Sequence, residues 1–313
     1  MRIGPHVFAV LYCLHSLGSS CGESNGIDRP LVDDLIPVVT EWTDDNSYTL
    51  GSIHSHNVAV ACLPIGIYGK VSASPVVAQM RATFQNIQLG LMVGIGGGVP
   101  SVDADIRLGG VVVSKPAGVY AGVIQYDYDK SVRDGRFQRT GSLNKPPLAF
   151  LTTVSQMQSD SMVGRQLVHG VIGDVLQANE DMRERYRCCR SDDSKLVTRP
   201  PRANNNPRIH YGLISSGDQV MKDATIRDAI AQDLGILCFE MEAAGLMDQL
   251  PSLVVRGISC AALAAAAYAR VLLSFVPVGC QKKDEFMVKS STRGTRTRGE
   301  QKAYWWLVSS LCC

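Results

Sequence analysis

Short apolar runs alternate with helical stretches over the second half of the chain, and this order constrains the fold more than any other feature. The runs are rich in valine, isoleucine and leucine and show little polar alternation, which is typical of strands buried on both faces. The stretches are strand Tyr211–Ser215, helix Asp223–Leu234, strand Ile236–Phe239, helix Ala243–Gln249, strand Leu253–Ile258 and helix Ala261–Val276. Strands alternating with helices predict an α/β protein whose largely parallel or mixed sheet is covered on both faces.

The first half of the chain predicts a hairpin, a helix and a strand that ends in glycines. Tyr48–Ile53 and Asn57–Leu63 have the pattern of paired strands, with His54-Ser55-His56 as the turn between them. Ser74–Phe84 has helical spacing, and Leu89–Val93 is an apolar strand. The two turn histidines lack further ligands nearby, so exposed imidazoles are expected and no metal site is predicted.

Three segments are predicted along the chain. Residues 1–46 show no clean periodicity and are expected to be irregular, whereas residues 47–278 carry the regular pattern of one domain. Residues 279–313 form a basic tail that is expected to be disordered, because Lys282–Lys302 holds seven Lys or Arg against three acids. The net charge of the whole chain is only +2, so neither nucleic acid nor an anionic membrane is an expected partner.

Cysteine usage indicates a reducing compartment. The chain has ten cysteines but no C-x-x-C pair, and Cys62, Cys238 and Cys260 lie in apolar runs where a thiol behaves as a small hydrophobe. A cytoplasmic protein is therefore expected. The alternative is a secretory signal at Val7–Leu17, which follows Arg2, although His15 interrupts its apolar stretch. No run is long enough to span a bilayer.

The stretch "LCFEMEAAGLMDQL" places Glu240 and Glu242 between an apolar strand and a run of small residues. A carboxylate in such surroundings costs several kcal/mol unless it is paired or hydrogen-bonded. One interpretation is a structural pair held by backbone donors or a distant arginine. The other is a site for hydroxyl groups, because an ionised carboxylate can accept from two hydroxyls at once.

Two further junctions lie at the carboxyl ends of predicted strands, where α/β sheets bind ligands. "LMVGIGGGVPS" is a strand running into a glycine-rich turn whose N–H groups could converge on an anion, although a tight structural turn explains it equally well. "YGLISSGDQVMKD" carries Ser216 and Asp218, and either residue could instead cap the helix that follows.

Taken together, "LMVGIGGGVPS", "DIRLGGVVVSKP", "ISSGDQVMKD" and "LCFEMEAAGLMD" resemble the nucleoside phosphorylase superfamily in order and spacing, in particular its fungal members within larger multidomain proteins. The resemblance covers about Tyr48 to Pro277. It implies a three-layer α/β/α sandwich with a central mixed, partly barrel-like sheet. It also implies cleavage of the N-glycosidic bond of a purine-type nucleoside, by phosphate or by water.

The resemblance assigns roles to matching residues. Glu242, with Glu240 and Met241 beside it, would line the ribose pocket and stabilise the positive charge that develops on the sugar. Ser216, Val220 and Met221 would line the base. The positions that would hold phosphate or the attacking water are Gly94, Ile95, Gly96, Gly97 and Gly98. The expected partner is a small nucleoside in a chain that could form a homo-oligomer, with no cofactor beyond inorganic phosphate as a co-substrate.

Two departures from the family pattern bear on the chemistry. Classical phosphorylases place an arginine where this chain has Met92, which favours hydrolysis unless an arginine such as Arg107 substitutes. Family members also carry an aspartate that protonates the leaving purine in a loop after the Arg-Gly-Ile strand, whereas here Cys260 runs straight into alanines, as in a shortened gene product. Asp218 is the nearest remaining acid. The alternative function is a non-catalytic nucleoside-binding or sensory module.

Overall fold

The computed structural model describes residues 7–13, 31–38, 44–64, 66–67, 69–101, 103–127, 129–131, 137–139, 141–188, 199–202, 204, 206–259 and 261–277. The described strands are β1 (Val7–Cys13), β2 (Asp33–Val38), β3 (Tyr48–Ile53), β4 (His56–Cys62), β5 (Ile87–Gly98), β6 (Val111–Ser114), β7 (Val123–Gln125), β8 (Asp129–Ser131), β9 (Phe137–Arg139), β10 (Ile209–Ser216), β11 (Ile236–Glu240) and β12 (Ser252–Ile258). The described helices are α1 (Lys70–Thr83), α2 (Leu148–Met162), α3 (Leu167–Ala178), α4 (Glu180–Cys188), α5 (Ala224–Leu234) and α6 (Ala262–Phe275). The predicted tail, residues 279–313, lies outside the described residues.

The main sheet is mixed and partly closed. Its strands follow the order β11-β10-β6-β12-β5-β1-β4-β3-β2, and β7 pairs with β10. The pairs of β5 with β1 and β12 are parallel, whereas β6 runs antiparallel to β12 and β3 runs antiparallel to β2 and β4. β11 also pairs with β5, which joins the first five strands of this order into a ring. The predicted mixed, partly barrel-like sheet is therefore confirmed.

Helices cover both faces of this sheet. One face packs against α2, α3 and the alanine-rich α6 through residues such as Phe150, Ile172 and Leu272. The opposite face packs against α1 through Val77 and Met80. A third cluster joins α5 to β10 and β11. These layers confirm the predicted three-layer α/β/α sandwich. Among the described residues, no helix is both long and apolar enough to cross a membrane.

Strand β1 corrects the prediction of an irregular segment over residues 1–46. Val7–Cys13 pairs in parallel with both β4 and β5, so it lies in the middle of the sheet. Phe8 packs on the α6 side while Ala9 packs on the α1 side. A strand buried on both faces is apolar at every position and shows no alternation. The apolar run considered as a secretory signal is, over Val7–Cys13, a central strand.

Local sequence signals define the ends of the elements around the site. α5 begins after Asp223, whose carboxylate accepts hydrogen bonds from the N–H groups of Thr225 (2.8 Å) and Ile226 (3.2 Å). It ends at Gly235, whose left-handed φ of 70° lets the chain reverse directly into β11. The end of this helix therefore sets the position of β11 (Ile236–Glu240), which pairs with β10 and β5.

Two local predictions were wrong. Ala243–Gln249 was predicted to be a helix, but only a short 3₁₀ turn, Ala243–Gly245, forms there. The α-carbon of Gly245 packs against the backbone of Lys70, so close that an added Cβ would lie 2.3 Å from that residue's carbonyl oxygen. The β3–β4 hairpin is confirmed, but His56 belongs to β4 and is buried against Phe8 rather than exposed in the turn.

Candidate functional site

Four strand ends meet at one edge of the sheet and form the candidate site. Ser216 at the end of β10 is paired with Glu240 at the end of β11. Gly97 near the end of β5 is paired with Phe239 of β11, and Arg256 of β12 is paired with Gly94 of β5. The stretches that were separate in the sequence are therefore neighbours in the fold, at the edge where α/β sheets bind ligands.

Glu240 is a structural carboxylate. It accepts hydrogen bonds from the backbone N–H groups of Glu242 (3.1 Å) and Ala243 (3.2 and 3.1 Å), and it also pairs with the guanidinium of Arg256. Burial raises the pKa of Glu240, the positive charge of Arg256 acts in the opposite direction, and the nearby Glu242 raises it further. These three donors hold the carboxylate in place, so it orients the segment that carries Glu242; its predicted contact with ribose stays a prediction.

Glu242 is also buried but is much less occupied. Its side chain is 5% exposed, and its Oε2 lies 3.3 Å from Nη2 of Arg256. Within the described part of the chain this guanidinium is its only hydrogen-bond donor. A carboxylate has about four lone-pair positions, so Glu242 retains acceptor capacity. This capacity is what the recognition of hydroxyl groups requires.

Arg256 is the residue that the sequence analysis missed. It is fully buried, and its Nη2 contacts Glu240, Glu242 and the Sδ of Met92, the last at 3.3 Å. Two carboxylates therefore share one guanidinium, which leaves a net charge of −1 when all three groups are ionised. The available signal was an arginine inside the otherwise apolar run "SLVVRGI", because a buried charge is almost always paired.

The glycine cluster is part of a strand and not the predicted turn. Gly94, Ile95, Gly96, Gly97 and Gly98 are the last residues of β5. An added Cβ at Gly96 would lie 2.5 Å from the Sγ of Cys238 and 2.9 Å from the carbonyl oxygen of Phe239. At Gly98 it would meet Ile106 and Ile258, whereas at Gly97 it would meet nothing within 4 Å. Two of these glycines therefore serve strand packing, and Gly97 faces open space.

This difference predicts unequal effects of two alanine substitutions. We expect Gly96→Ala to lower the free energy of unfolding by about 1–3 kcal/mol, because the new methyl group overlaps a buried thiol and a backbone carbonyl. Gly97→Ala, the matched control one residue away, should change it by less than about 0.5 kcal/mol. Urea unfolding of the two variants beside the parent chain measures both values. Equal losses would contradict the packing that we describe.

The model of the Phosphorylase superfamily matches residues 29–259 of this chain. The chain belongs to this superfamily. A nucleotide-binding leucine-rich repeat (NLR)-like protein of Hyaloscypha variabilis is 40% identical over 271 residues, which are 77% of this chain but 27% of that protein. The chain thus spans about a quarter of the length of this curated relative.

Solved structures share the superfamily fold. The 5′-methylthioadenosine/S-adenosyl homocysteine nucleosidase of Helicobacter pylori aligns with a TM-score of 0.55 at 14% identity, over 87% of this chain and 99% of that one. A futalosine hydrolase mutant from the same organism aligns at 0.53 and 15%, over 86% and 97%. The corresponding nucleosidase of S. pneumoniae aligns at 0.52 and 18%, over 85% and 96%.

In this superfamily member, the end of β10 and the segment that follows it serve partly to hold the site together. Ser216 is buried, and its hydroxyl oxygen accepts a hydrogen bond from the N–H of Ala244 (3.0 Å). This contact ties it to the segment of Glu242. Val220 is 38% exposed, and Met221 packs against the α5 cluster. Met241 is 7% exposed. The sequence predicted these four residues as ligand contacts, and that role stays a prediction.

Asp218, predicted as the fallback acid, lies in an ion-pair cluster. Its carboxylate accepts a hydrogen bond from the backbone N–H of Lys70 (2.8 Å) and lies 3.3 Å from that residue's Nζ. Lys70 also pairs with Asp127 at 2.7 Å. Burial raises the pKa of Asp127, but hydrogen bonds from Lys70, the backbone N–H of Asp218 and Gln125 together outweigh it and lower this pKa. Paired in this way, Asp218 anchors its loop to α1, and its predicted role as an acid stays a prediction.

Arg107, the other arginine considered for anion binding, is engaged elsewhere. Its Nε donates to Asp105 at 2.8 Å and its Nη2 donates to the carbonyl of Pro200 at 2.7 Å. The hydrogen bond from Arg107, with Arg202 beside it, holds the pKa of Asp105 well below its usual range. The place of the phosphorylase arginine is occupied by Met92, which is buried against Arg256.

Proposed function

We propose that this domain cleaves the N-glycosidic bond of a purine-type nucleoside, with water as the attacking group. The observation that carries the proposal is the Glu242 carboxylate. It is buried at the carboxyl end of the sheet and keeps acceptor capacity, while Glu240 and Arg256 hold each other in place. The substrates named for the nucleosidase structures that share this fold support a purine-type base.

The charge of the site suits this reaction. As the bond from C1′ to the base nitrogen breaks, its electron pair leaves with the base and positive charge develops on the ribose. Water then adds to C1′; one of its protons reaches the base and the other stays on the new hydroxyl group. The net −1 charge of the group formed by Glu240, Glu242 and Arg256 would stabilise the cationic sugar, and such prearranged charge is most effective in a water-excluded site.

Two observations support water rather than phosphate. The position of the phosphorylase arginine holds Met92, and Arg107 is committed to Asp105 and Pro200. The end of β5 offers an open face at Gly97, where a small neutral molecule has space. A phosphate dianion bound by backbone N–H groups alone would lack the charge-assisted hydrogen bonds that an arginine supplies.

The nucleophile has a direct test. We expect added inorganic phosphate to leave the rate of base release from purine nucleosides unchanged, because among the described residues the guanidinium beside β5, that of Arg256, is already paired with Glu240 and Glu242. Rates are measured across a phosphate series at constant ionic strength, with sulfate as the matched control anion. A saturable acceleration by phosphate, absent with sulfate, would mean that Gly94–Gly98 at the end of β5 binds phosphate.

A non-catalytic nucleoside-binding module is the second candidate function. β12 ends at Ile258 and α6 begins at Ala262, with so tight a turn that an added Cβ on Gly257 would lie 2.1 Å from the carbonyl oxygen of Ala261. Residues 261–277 contain no aspartate, glutamate or histidine. A departing purine therefore lacks a proton donor from this side. The relative described as NLR-like, several times longer than this chain, also supports a module within a larger protein.

One pair of measurements distinguishes the two functions. Release of free base is followed by chromatography with adenosine and with 5′-methylthioadenosine, and binding of the same nucleosides is measured by calorimetry. Release catalysed by the chain supports the hydrolase, and saturable binding without release supports the module. If neither binding nor release is observed, both proposals are contradicted.

A further inference from the structure

A cavity lies at the opposite end of β10 from the candidate site. Its volume is about 450 Å³, and its walls include Met157 and Asp160 of α2, Tyr268 of α6 and the first residues of β10, Ile209–Tyr211. A strand advances about 3.3 Å per residue, so β10 separates this cavity from Ser216 by roughly 20 Å. We call it the Asp160 cavity. A volume of this size is ordinary for a small-molecule site.

Three buried polar atoms on residues that line this cavity have no hydrogen-bond partner among the described residues. They are Oδ2 of Asp160, Nε2 of His210 and the hydroxyl oxygen of Tyr268. Asp160 is only 7% exposed, so bulk water does not solvate its free oxygen well. An unsatisfied buried donor or acceptor costs about 1–3 kcal/mol, and natural proteins keep few of them. Three such atoms on the residues around one cavity indicate a missing hydrogen-bonding partner.

The position of Asp160 is unfavourable for stability alone. It lies two residues before the end of α2, where the helix dipole disfavours a negative charge. Its other oxygen pairs with Arg165 at 3.2 Å, but the Arg165 side chain is 65% exposed, and such pairs contribute little. Thus the described neighbours compensate only part of the cost of this carboxylate, and the fold gains little from it.

The chemistry of the walls defines the ligand. The free oxygen of an ionised Asp160 can only accept, so the ligand must donate an N–H or O–H group. Burial lowers the pKa of His210, and the positive charges of Arg202 and Arg208 lower it further, so the imidazole is neutral at pH 7. A neutral imidazole offers one donor and one acceptor. Apolar side chains and the rings of Tyr211 and Tyr268 supply the remaining surface.

Charged ligands fit less well. Asp160 opposes an anion, and Arg165 and Arg208, which also line the cavity, oppose a cation.

We propose that the Asp160 cavity is a second binding site, for a neutral, amino-substituted nitrogen heterocycle that donates to Asp160 and pairs through a ring nitrogen with His210. This proposal does not depend on nucleoside cleavage at Glu242. Adenine has the required groups and serves as the probe.

Methionine methyl groups distinguish the two sites in one experiment. Met157 lines the Asp160 cavity, whereas Met221 and Met241 lie in the segments of the candidate active site. The chain is labelled with carbon-13 at its methionine methyl groups, the Met157 signal is assigned with Met157→Leu, and adenine is titrated to millimolar concentration. We expect a saturable shift of the Met157 signal, whether or not the signals of the other two methionines also move.

Two variants connect the shift to the proposed contacts. Asp160→Asn and His210→Leu should each weaken adenine binding at Met157 by about tenfold or more, because the first replaces an accepting oxygen by a donating amide and the second removes both ring nitrogens. Asp174→Asn, on the exposed face of α3, is the matched control and should leave the affinity unchanged. If the Asp160 variant does not fold, the His210 variant carries the test. No saturable Met157 shift, or equal affinities in all variants, would overturn the proposal.

Discussion

Inserting an aspartate-bearing loop between Ser259 and Ala261 is expected to raise the rate of base release by about 10²–10⁴-fold, which is the usual contribution of a general acid. The reason is that β12 turns tightly into α6 and residues 261–277 offer no acidic or histidine side chain. A purine leaves readily only when a ring nitrogen is protonated. The gain corresponds to about 3–5 kcal/mol of transition-state stabilisation, at tenfold per 1.36 kcal/mol.

The matched control is the same loop with asparagine in place of the aspartate. Both insertions lengthen the turn and close the same side of the base pocket, so only the proton donor differs between them. Steady-state rates are compared for the parent chain and both variants, with adenosine as substrate. Equal rates in the two loop variants would mean that the proton comes from another group, and our account of this turn would be wrong.

Glu242→Gln is expected to lower the rate of base release by about 10²–10³-fold with little change in stability. The amide keeps the shape of the side chain but loses the charge that opposes the positive ribose, an effect of the size found when one prearranged electrostatic group is removed. Stability should hold because Arg256 still pairs with Glu240, and the repulsion between the two carboxylates disappears. The rate is measured in the loop-bearing background, where turnover is highest.

Glu240→Gln provides the contrast. Glu240 accepts two backbone N–H groups and pairs with Arg256, so its loss should lower the free energy of unfolding by about 1–3 kcal/mol. Thermal unfolding of both variants separates a loss of charge at the ribose from a loss of structure. If Glu242→Gln retained full turnover while remaining folded, Glu242 would have no part in the reaction.

The sequence was sufficient to predict the fold because most strands and helices carry complete local signals. The apolar run after Gly235 predicted a strand at Ile236–Phe239, which is one residue shorter than β11, but the cap of α5 is Asp223 and not Ser216 or Asp218. β1 could not be predicted in this way, because a strand covered on both faces has no alternation to distinguish it from other apolar runs. The helix predicted at Ala243–Gln249 failed for a tertiary reason, since Gly245 packs against the start of α1.

The candidate site was predicted in part. The resemblance indicated that Ser216, Glu240 and Gly94–Gly98 belong together, and the strand pairing brings them to one sheet edge. The number of hydrogen-bond donors that contact Glu240 and Glu242 could not be predicted. It depends on which carboxylate oxygen reaches Arg256 and on the backbone N–H groups of the turn that follows. The role of Asp218 likewise depends on Lys70, far away in the sequence.

The central place of β1 has a consequence for how the protein is made. Its partners β4 and β5 are synthesised after it, and β5 comes last of the three. On the ribosome, a hydrophobic strand with two open edges must therefore wait until residues 56–62 and then 87–94 emerge, at a pace of roughly 5–20 residues per second. Unpaired edges of this kind recruit other strands. β1 therefore remains unpaired during translation for longer than β3, whose partner β4 follows it directly.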